Sequence, residues 1–402
     1  MGLGAAVVSA CKLFRPRPYY AFFICHHKAG AAAQARLLKI LLQQRSHADV
    51  FIDSDDLKEL DKLFDTVKTS VGHLLVYLTR ETLMRPWCAG EVCTAVRTNR
   101  VKLTTITTAS FVPPTEEELR NLQRYIDLSG CSLSQYGIQM EDVAAAFRRL
   151  LSSQTRNIQM PQGCVGTARW AHLSDALTRG SAAPAGPQPL QKLPGMFIIS
   201  SRVDNDEASA AAMIIERKIK ARLMSISETT PICLLCDHPE AELDEVMSAV
   251  LEARSVVVLL SAGTMHSLQQ LMVMVELMSA PADGPSADVI PVKIGGFELP
   301  DDQYYAQQLP AIWPADTCEA ETRIRAFFKR IAIALDIAGA DAILQQEVDT
   351  IFSRVQVGRM PRRRAAMSEV TKAAIRSIQV HADCGLKDTQ RYGDALICTA
   401  VI

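Results

Sequence analysis

The sequence predicts an α/β protein made of two parallel-sheet units in tandem, followed by a helical extension. Three observations carry this. A strand–acidic turn–helix–strand segment occurs twice, at residues 50–79 (VFIDSDDLKELDKLFDTVKTSVGHLLVYLT) and 232–261 (ICLLCDHPEAELDEVMSAVLEARSVVVLLS). Both copies carry Glu-Leu-Asp in the helix, and they keep register to within one residue. The strands are short bare apolar runs without alternation, as expected when helices cover both faces of a sheet. Strands alternate with helices, which implies right-handed βαβ crossovers and a parallel sheet.

In chain order, residues 20–25 and 196–200 read as the first strand of each unit, each followed by polar residues and an Ala-rich helical stretch. The repeated segment supplies the second strand, a helix and the third strand. Leu57, Leu60, Phe64 and Val67 share one helix face, and Leu243, Val246, Met247 and Val250 share the equivalent one. Residues 101–111 and 289–297 read as the fourth strands, each ending near a Phe. A helix closes each unit, around Phe147-Arg148-Arg149 and Phe328-Lys329-Arg330. Residues 19–152 and 194–338 are the expected domains. Residues 153–193 are the expected linker, because 180–194 are rich in Ala, Gly and Pro. Residues 339–402 read as a helical extension with a tail bearing Arg359, Arg362, Arg363 and Arg364, a localisation signal or, the favoured reading, a solvated basic run.

Composition narrows the function. Of 402 residues, 48% are hydrophobic and 22% charged, and the formal net charge of −1 disfavours nucleic acid as a partner. The 11 cysteines follow no small-domain spacing, and no export signal is evident, so they read as reduced thiols of a soluble cytoplasmic protein. No apolar run is long enough to span a membrane. Ala6 breaks the pattern that would myristoylate Gly2, and Cys398 stands one place too early for prenylation.

Four segments bear on chemistry: FFICHHK (22–28), VFIDSDDL (50–57), LLVYLTRETLMRPWCAGEVCTA (74–95), and the closing helix of the first unit. Together they resemble Toll/interleukin-1 receptor (TIR) domains over residues 19–152, the Trp-Cys-x-x-Glu after an apolar strand being the most specific part. The second unit resembles a degenerate copy. The resemblance implies two flavodoxin-like units, each a five-stranded parallel sheet with helices on both faces. In such sheets the ligand crevice lies beyond the carboxyl ends of the strands, where residues 22–28, Asp53-Ser54 and residues 79–91 converge. Some TIR domains are scaffolds that recruit other TIR domains; others cleave NAD at the nicotinamide–ribose bond with the Glu of this helix as essential acid. That position is Glu91. Trp87 lies four residues before it, on the same helical face. A carboxylate suits a bond cleavage with oxocarbenium character, and the leaving nicotinamide departs neutral.

The resemblance therefore implies a candidate NAD glycohydrolase, with Glu91 catalytic and Trp87, His26, His27, Lys28, Asp53 and Ser54 contacting substrate. NAD is substrate, no cofactor is implied, and partners are other TIR domains or further copies of the chain. The alternative is a non-enzymatic scaffold acting through TIR–TIR association. His26, His27 and Lys28 read as crevice or phosphate contacts, or as plain surface loop, and no metal is expected. The spacing of Asp53, Asp55 and Asp56 is not that of an EF-hand, and helix capping by Ser54 or Asp55 accounts for them. Cys233 and Cys236 lack the second pair a zinc site needs and read as buried structural thiols. In the second unit, aligning Ser261 with Thr79 sets Gln269 against Trp87 and Val273 against Glu91. Glu276 follows three residues later without a Trp, so that unit reads as non-catalytic. The first unit also lacks the Gly common in the TIR loop at 53–63.

Overall fold

A computed structural model describes residues 19–56, 59–162, 164–178, 196–279, 287–355 and 366–383. The expectations for Leu57, residues 180–194, Arg359, Arg362–Arg364, Gly2 and Cys398 lie outside them.

The chain divides into two compact units, Met1–Met160 with Leu173–Ser181, and Pro161–His172 with Ala182–Ile402. The first holds β1 (Tyr20–Cys25), α1 (Lys28–Ser46), β2 (Val50–Phe51), α2 (Leu63–Ser70), β3 (Val71–Leu78), α3 (Pro86–Thr98), β4 (Lys102–Thr107), α4 (Met140–Leu151) and β5 (Arg156–Gln159). Next come α5 (Gly166–Thr178), β6 (Phe197–Ser200), α6 (Asp206–Ser225), β7 (Ile232–Leu234), α7 (Leu243–Glu252), β8 (Ser255–Leu260), α8 (Leu268–Met278), β9 (Asp288–Lys293), α9 (Thr317–Phe328), β10 (Ile333–Ala334), α10 (Asp341–Ser353) and α11 (Glu369–Asp383).

Both sheets are five-stranded and wholly parallel, with helices on both faces. The strand order is β2-β1-β3-β4-β5 in the first and β7-β6-β8-β9-β10 in the second. This is the doubly wound flavodoxin-like order, whose direction of growth reverses between the first and third strands. Every residue of β8 is buried, as are the last five of β3, which is why neither strand alternates in polarity.

Three features depart from the linear reading. The fifth strand of the first sheet lies at Arg156–Gln159, past the expected boundary at 152, and α5 also falls within the expected linker. The helix expected from Leu57 to Val67 is broken: Asp53–Asp56 form one turn, and α2 starts only at Leu63. Propensity misses this break because the acidic turn is held by tertiary ion pairs described below. The C-terminal extension is part of the second unit. Leu344, Val348 and Ile351 of α10 are buried, Lys218 of α6 pairs with Asp341 at 2.8 Å, and Ala374 and Ile375 of α11 enter the second core. Among the described residues, no helix is long and apolar enough to cross a membrane.

Candidate functional site

The site lies at the carboxyl end of β1, at the switch point of the first sheet. Cys25 is the last residue of β1, and its register partner on β3 is Val76. After β3 the chain makes a tight turn locked by Thr82, whose hydroxyl accepts from the Thr79 amide at 2.9 Å and donates to the Tyr77 carbonyl at 2.9 Å. Pro86 then sits in the first turn of α3, where its missing N–H costs nothing. The turn aims one face of α3 back over β1. Cys88 and Glu91, three apart on that face, arrive beside Cys25, and one ligand atom from each of the three lies within 4.8 Å of the others. The Cys88 thiol also donates to the His26 carbonyl at 3.3 Å.

Glu91 is 4% exposed, and its Oε2 has no hydrogen-bond partner. Burial, then the nearby Asp53 charge, push its carboxyl up to about 8, while Cys25, Arg85 and Lys28 pull the other way. A cation entering here would favour the charged carboxylate. Asp53, 8% exposed, takes Lys28 Nζ at 3.1 Å through Oδ2 and leaves Oδ1 buried and unpartnered. His27 Nδ1 is a third buried atom without a partner. Buried polar atoms are rarely left unpaired, and the residues bearing these three follow β1 and β2 or ride on α3.

His26 is buried. Its Nδ1–H donates to the Ile24 carbonyl at 3.2 Å, and burial lowers its pKa to about 4, so the ring is neutral at physiological pH. The ring of half-buried His27 is also lowered by burial, with Glu81 opposing.

Ser54 and Trp87 have other neighbours. The Ser54 hydroxyl accepts from Arg36 at 3.3 Å. Arg36, 2% exposed, pairs with Asp55 at 2.8 Å, and Lys39 pairs with Asp55 at 3.0 Å and Asp56 at 2.8 Å. The Asp56 carboxylate also accepts from the Ile52 amide at 2.9 Å. The acidic cluster is thus an ion network that fastens the turn to α1. The capping by Ser54 or Asp55 expected from the sequence is replaced by these pairs. Trp87 is half-buried, stacked on Phe64 at 5.6 Å between centroids and leaning on Tyr136 at 5.8 Å. Gly90 makes that stack possible, since a Cβ there would overlap the Phe64 ring.

The sequence reading missed Cys25, Arg85 and the contact role of Cys88. Cys88 had a signal: three residues before Glu91 on a helix, it shares that face. Cys25 had the weaker signal of ending a strand whose carboxyl end lines the crevice. Arg85, whose guanidinium reaches the His26 carbonyl at 3.5 Å, had none.

In the second unit the same lock recurs: the Ser261 amide donates to Thr264 Oγ1 at 2.8 Å. Strand register then puts Ser200 in the place of Cys25, Leu235 in that of Asp53, Gln270 in that of Cys88 and Val273 in that of Glu91. Cys233 is half-buried and Cys236 buried, and burial pushes both thiols up to about 12. Glu276 is fully buried and saturated. It accepts from Ser368 Oγ at 2.6 Å, the Ser368 amide at 3.2 Å and Thr371 Oγ1 at 2.7 Å, so it anchors the start of α11.

No family model matches the chain, and no curated protein matches it. Among solved structures, it is similar to the tagatose-6-phosphate ketose/aldose isomerase of Escherichia coli, with 11% identity, a TM-score of 0.22, and coverage of 91% of this chain and 90% of that one. It is also similar to a carbohydrate transporter from Acidothermus cellulolyticus 11B in complex with myo-inositol, with 9% identity, a TM-score of 0.19, and coverage of 90% and 99%. At these scores the likenesses carry no argument about function.

Proposed function

We propose that the first unit is a TIR-type domain that hydrolyses NAD at the nicotinamide–ribose bond, with Glu91 as the essential acid. The observation that carries this reading is a buried carboxyl with an unpartnered oxygen at the switch point of a doubly wound sheet, the place where such sheets bind ligands. When the C–N bond breaks, its electron pair leaves with neutral nicotinamide and the ribose carbon becomes cationic. Water adds to that carbon and loses a proton, giving ADP-ribose. Burial favours the neutral acid at rest, and the developing positive charge favours its ionised form, in which Glu91 faces that charge. Asp53 contributes a second acceptor for the substrate, held in place by Lys28. Neutral His26 and His27 follow β1 on the approach to the crevice and offer hydrogen bonds to ribose or phosphate oxygens. Trp87 acts through its stack with Phe64, as a wall supporting α3.

For the second unit we propose a non-catalytic partner role. The observation favouring it is the joint replacement of both acids by apolar residues, Leu235 and Val273. On this reading the protein signals in the cytoplasm through association with further TIR domains or copies of itself.

The test is to incubate the full chain with NAD and follow released nicotinamide. Release that depends on Glu91 supports the proposal. No release, even from concentrated or artificially clustered protein treated with chelator, overturns it and leaves the scaffold reading for both units.

A further inference from the structure

We propose that Cys25, Cys88 and Glu91 form a binding site for a thiophilic divalent cation of the zinc class. The three come from the end of β1 and one face of α3, and their ligand atoms lie within 4.8 Å of one another. All three are buried: Cys25 and Cys88 are each 1% exposed and Glu91 4%. Metal–sulfur and metal–oxygen distances for zinc are about 2.3 and 2.1 Å, which puts tetrahedral donors roughly 3.5–3.8 Å apart. The observed trio needs to contract by at most about 1.3 Å to meet that geometry.

Independent support comes from Glu91 itself. Its Oε2 is buried without a hydrogen-bond partner, while the Cys25 thiol acts on the same carboxyl, so an acceptor stands beside the two sulfurs with capacity left for a ligand. Cys88 and Glu91 are three apart on a helix and converge without rearrangement of α3. Two sulfurs among three donors select a soft or borderline ion over magnesium or calcium, which take oxygen donors. Three protein donors leave one tetrahedral corner for water or another ligand, the pattern of an exchangeable site rather than a closed structural one.

Charge balances acceptably. Binding forms two metal–sulfur bonds and one metal–oxygen bond, and releases the two thiol protons and any proton on Glu91 to solvent. The ion and its three anionic donors carry a net single negative charge; with Asp53, whose charge also acts on Glu91, it is offset by Arg85 and Lys28. Resting on the function proposed above, the ion would occupy the carboxylate that faces the ribosyl cation, so the bound ion holds NAD cleavage off.

The probe is cobalt(II) alone, added to the reduced, chelator-treated full chain. The expected result is one equivalent bound, with a thiolate-to-cobalt charge-transfer band and intense tetrahedral visible bands, displaced by zinc. Cys25→Ser with Cys88→Ser should abolish both, whereas Cys233→Ser with Cys236→Ser should leave them unchanged. Glu91→Gln should keep the charge transfer but lose about tenfold or more in affinity, the scale on which weakened ligand shells act. A wild-type chain without a tetrahedral spectrum overturns the site, as does a spectrum that survives the loss of both Cys25 and Cys88. Where the double serine variant unfolds, Cys25→Ser and Cys88→Ser singly replace it, and a thiolate-to-cobalt band undiminished in both overturns the site. Cobalt binding in a chain that releases no nicotinamide even when metal-free upholds the metal site and sinks only the hydrolase. Nicotinamide release from a chain that binds no cobalt does the reverse.

Discussion

Glu91 and Glu276 sit on corresponding helices of the two units, α3 and α8, and both are buried. Glu91 has a carboxyl oxygen with no partner, while Glu276 accepts from Ser368 and Thr371. Around Glu91 stand Asp53, Lys28, Cys25 and Cys88. In the second unit, the positions of Asp53 and Glu91 carry Leu235 and Val273, and the positions of the two thiols carry Ser200 and Gln270, joined at 3.1 Å. The same frame therefore holds one acid poised for a ligand and another spent on folding. Burial alone does not mark a working carboxylate; an unsatisfied one at a ligand-binding edge does.

The largest expected effect tests that distinction directly. Glu91→Gln should lower kcat/KM for NAD about a hundred- to a thousandfold, the scale of losing one preorganised electrostatic contact, roughly 3–4 kcal/mol. The fold should persist, because Gln keeps the size and helix propensity. Far-UV circular dichroism and nicotinamide release measure the two sides. A Glu91→Gln chain that turns NAD over at full rate would erase the contrast between the units.

Glu276→Ala should give the complementary pattern. Removing the acceptor strips three hydrogen bonds from the start of α11, and bonds to a charged acceptor are the stronger kind, so about 3 kcal/mol is at stake. Hydrogen exchange should rise across residues 366–383 and in α8, with kcat/KM for NAD unchanged. Protection that survives the substitution would mean that Ala374 and Ile375 hold α11 without the anchor.

How far these differences could be read in advance depends on range. The repeat, the Thr79/Ser261 alignment and the loss of Glu91 and Trp87 in the second unit were visible, because strand–turn–helix registers are local and nearly free of insertions. The place of the fifth strand, Arg156–Gln159, was not, since four residues with one apolar side chain carry no periodicity and pair only through β4. The role of Glu276 was hidden because its partners are about ninety residues away in sequence. The Asp53–Asp56 turn was misread as a helix start for the same reason: Arg36 and Lys39 on α1 decide its conformation. The cysteines beside Glu91 needed the turn at Thr82 to bring α3 over β1.

Gly90 offers a middle-sized test of how each unit packs its helix pair. In the first unit a glycine accommodates the Phe64 ring, and in the second Met272 takes the equivalent place, 0% exposed, in the core cluster that also holds Val246 and Met247. Gly90→Ala should cost about 2 kcal/mol by overpacking, less any gain in helix propensity. The Phe64–Trp87 stack should shift with it, so tryptophan fluorescence should change along with the urea midpoint. An unchanged midpoint would mean that the ring yields freely and that the stack is not a rigid wall.

The smallest expected effects come from what the units share. Thr82 and Thr264 are both fully buried and both accept the backbone amide at the end of the third strand, at 2.9 and 2.8 Å. Each hydroxyl also meets a strand carbonyl, but unequally: Thr82 donates to Tyr77 at 2.9 Å, Thr264 to Leu259 at 3.5 Å, the edge of a hydrogen bond. Thr→Val keeps the shape and leaves a buried amide unpaired, which costs about 1–3 kcal/mol. The longer second bond places Thr264→Val toward the lower end of that range and Thr82→Val somewhat above it. Unit-resolved hydrogen exchange in urea separates the two, because each substitution should loosen only its own unit. Thr82→Val carries a second consequence, since this turn aims α3: Cys88 and Glu91 should lose their fixed approach to Cys25. NAD turnover should then fall with Thr82→Val by more than its stability loss explains, while Thr264→Val leaves turnover alone. Equal turnover in the two variants would show that the lock only stabilises the fold and does not position the acid.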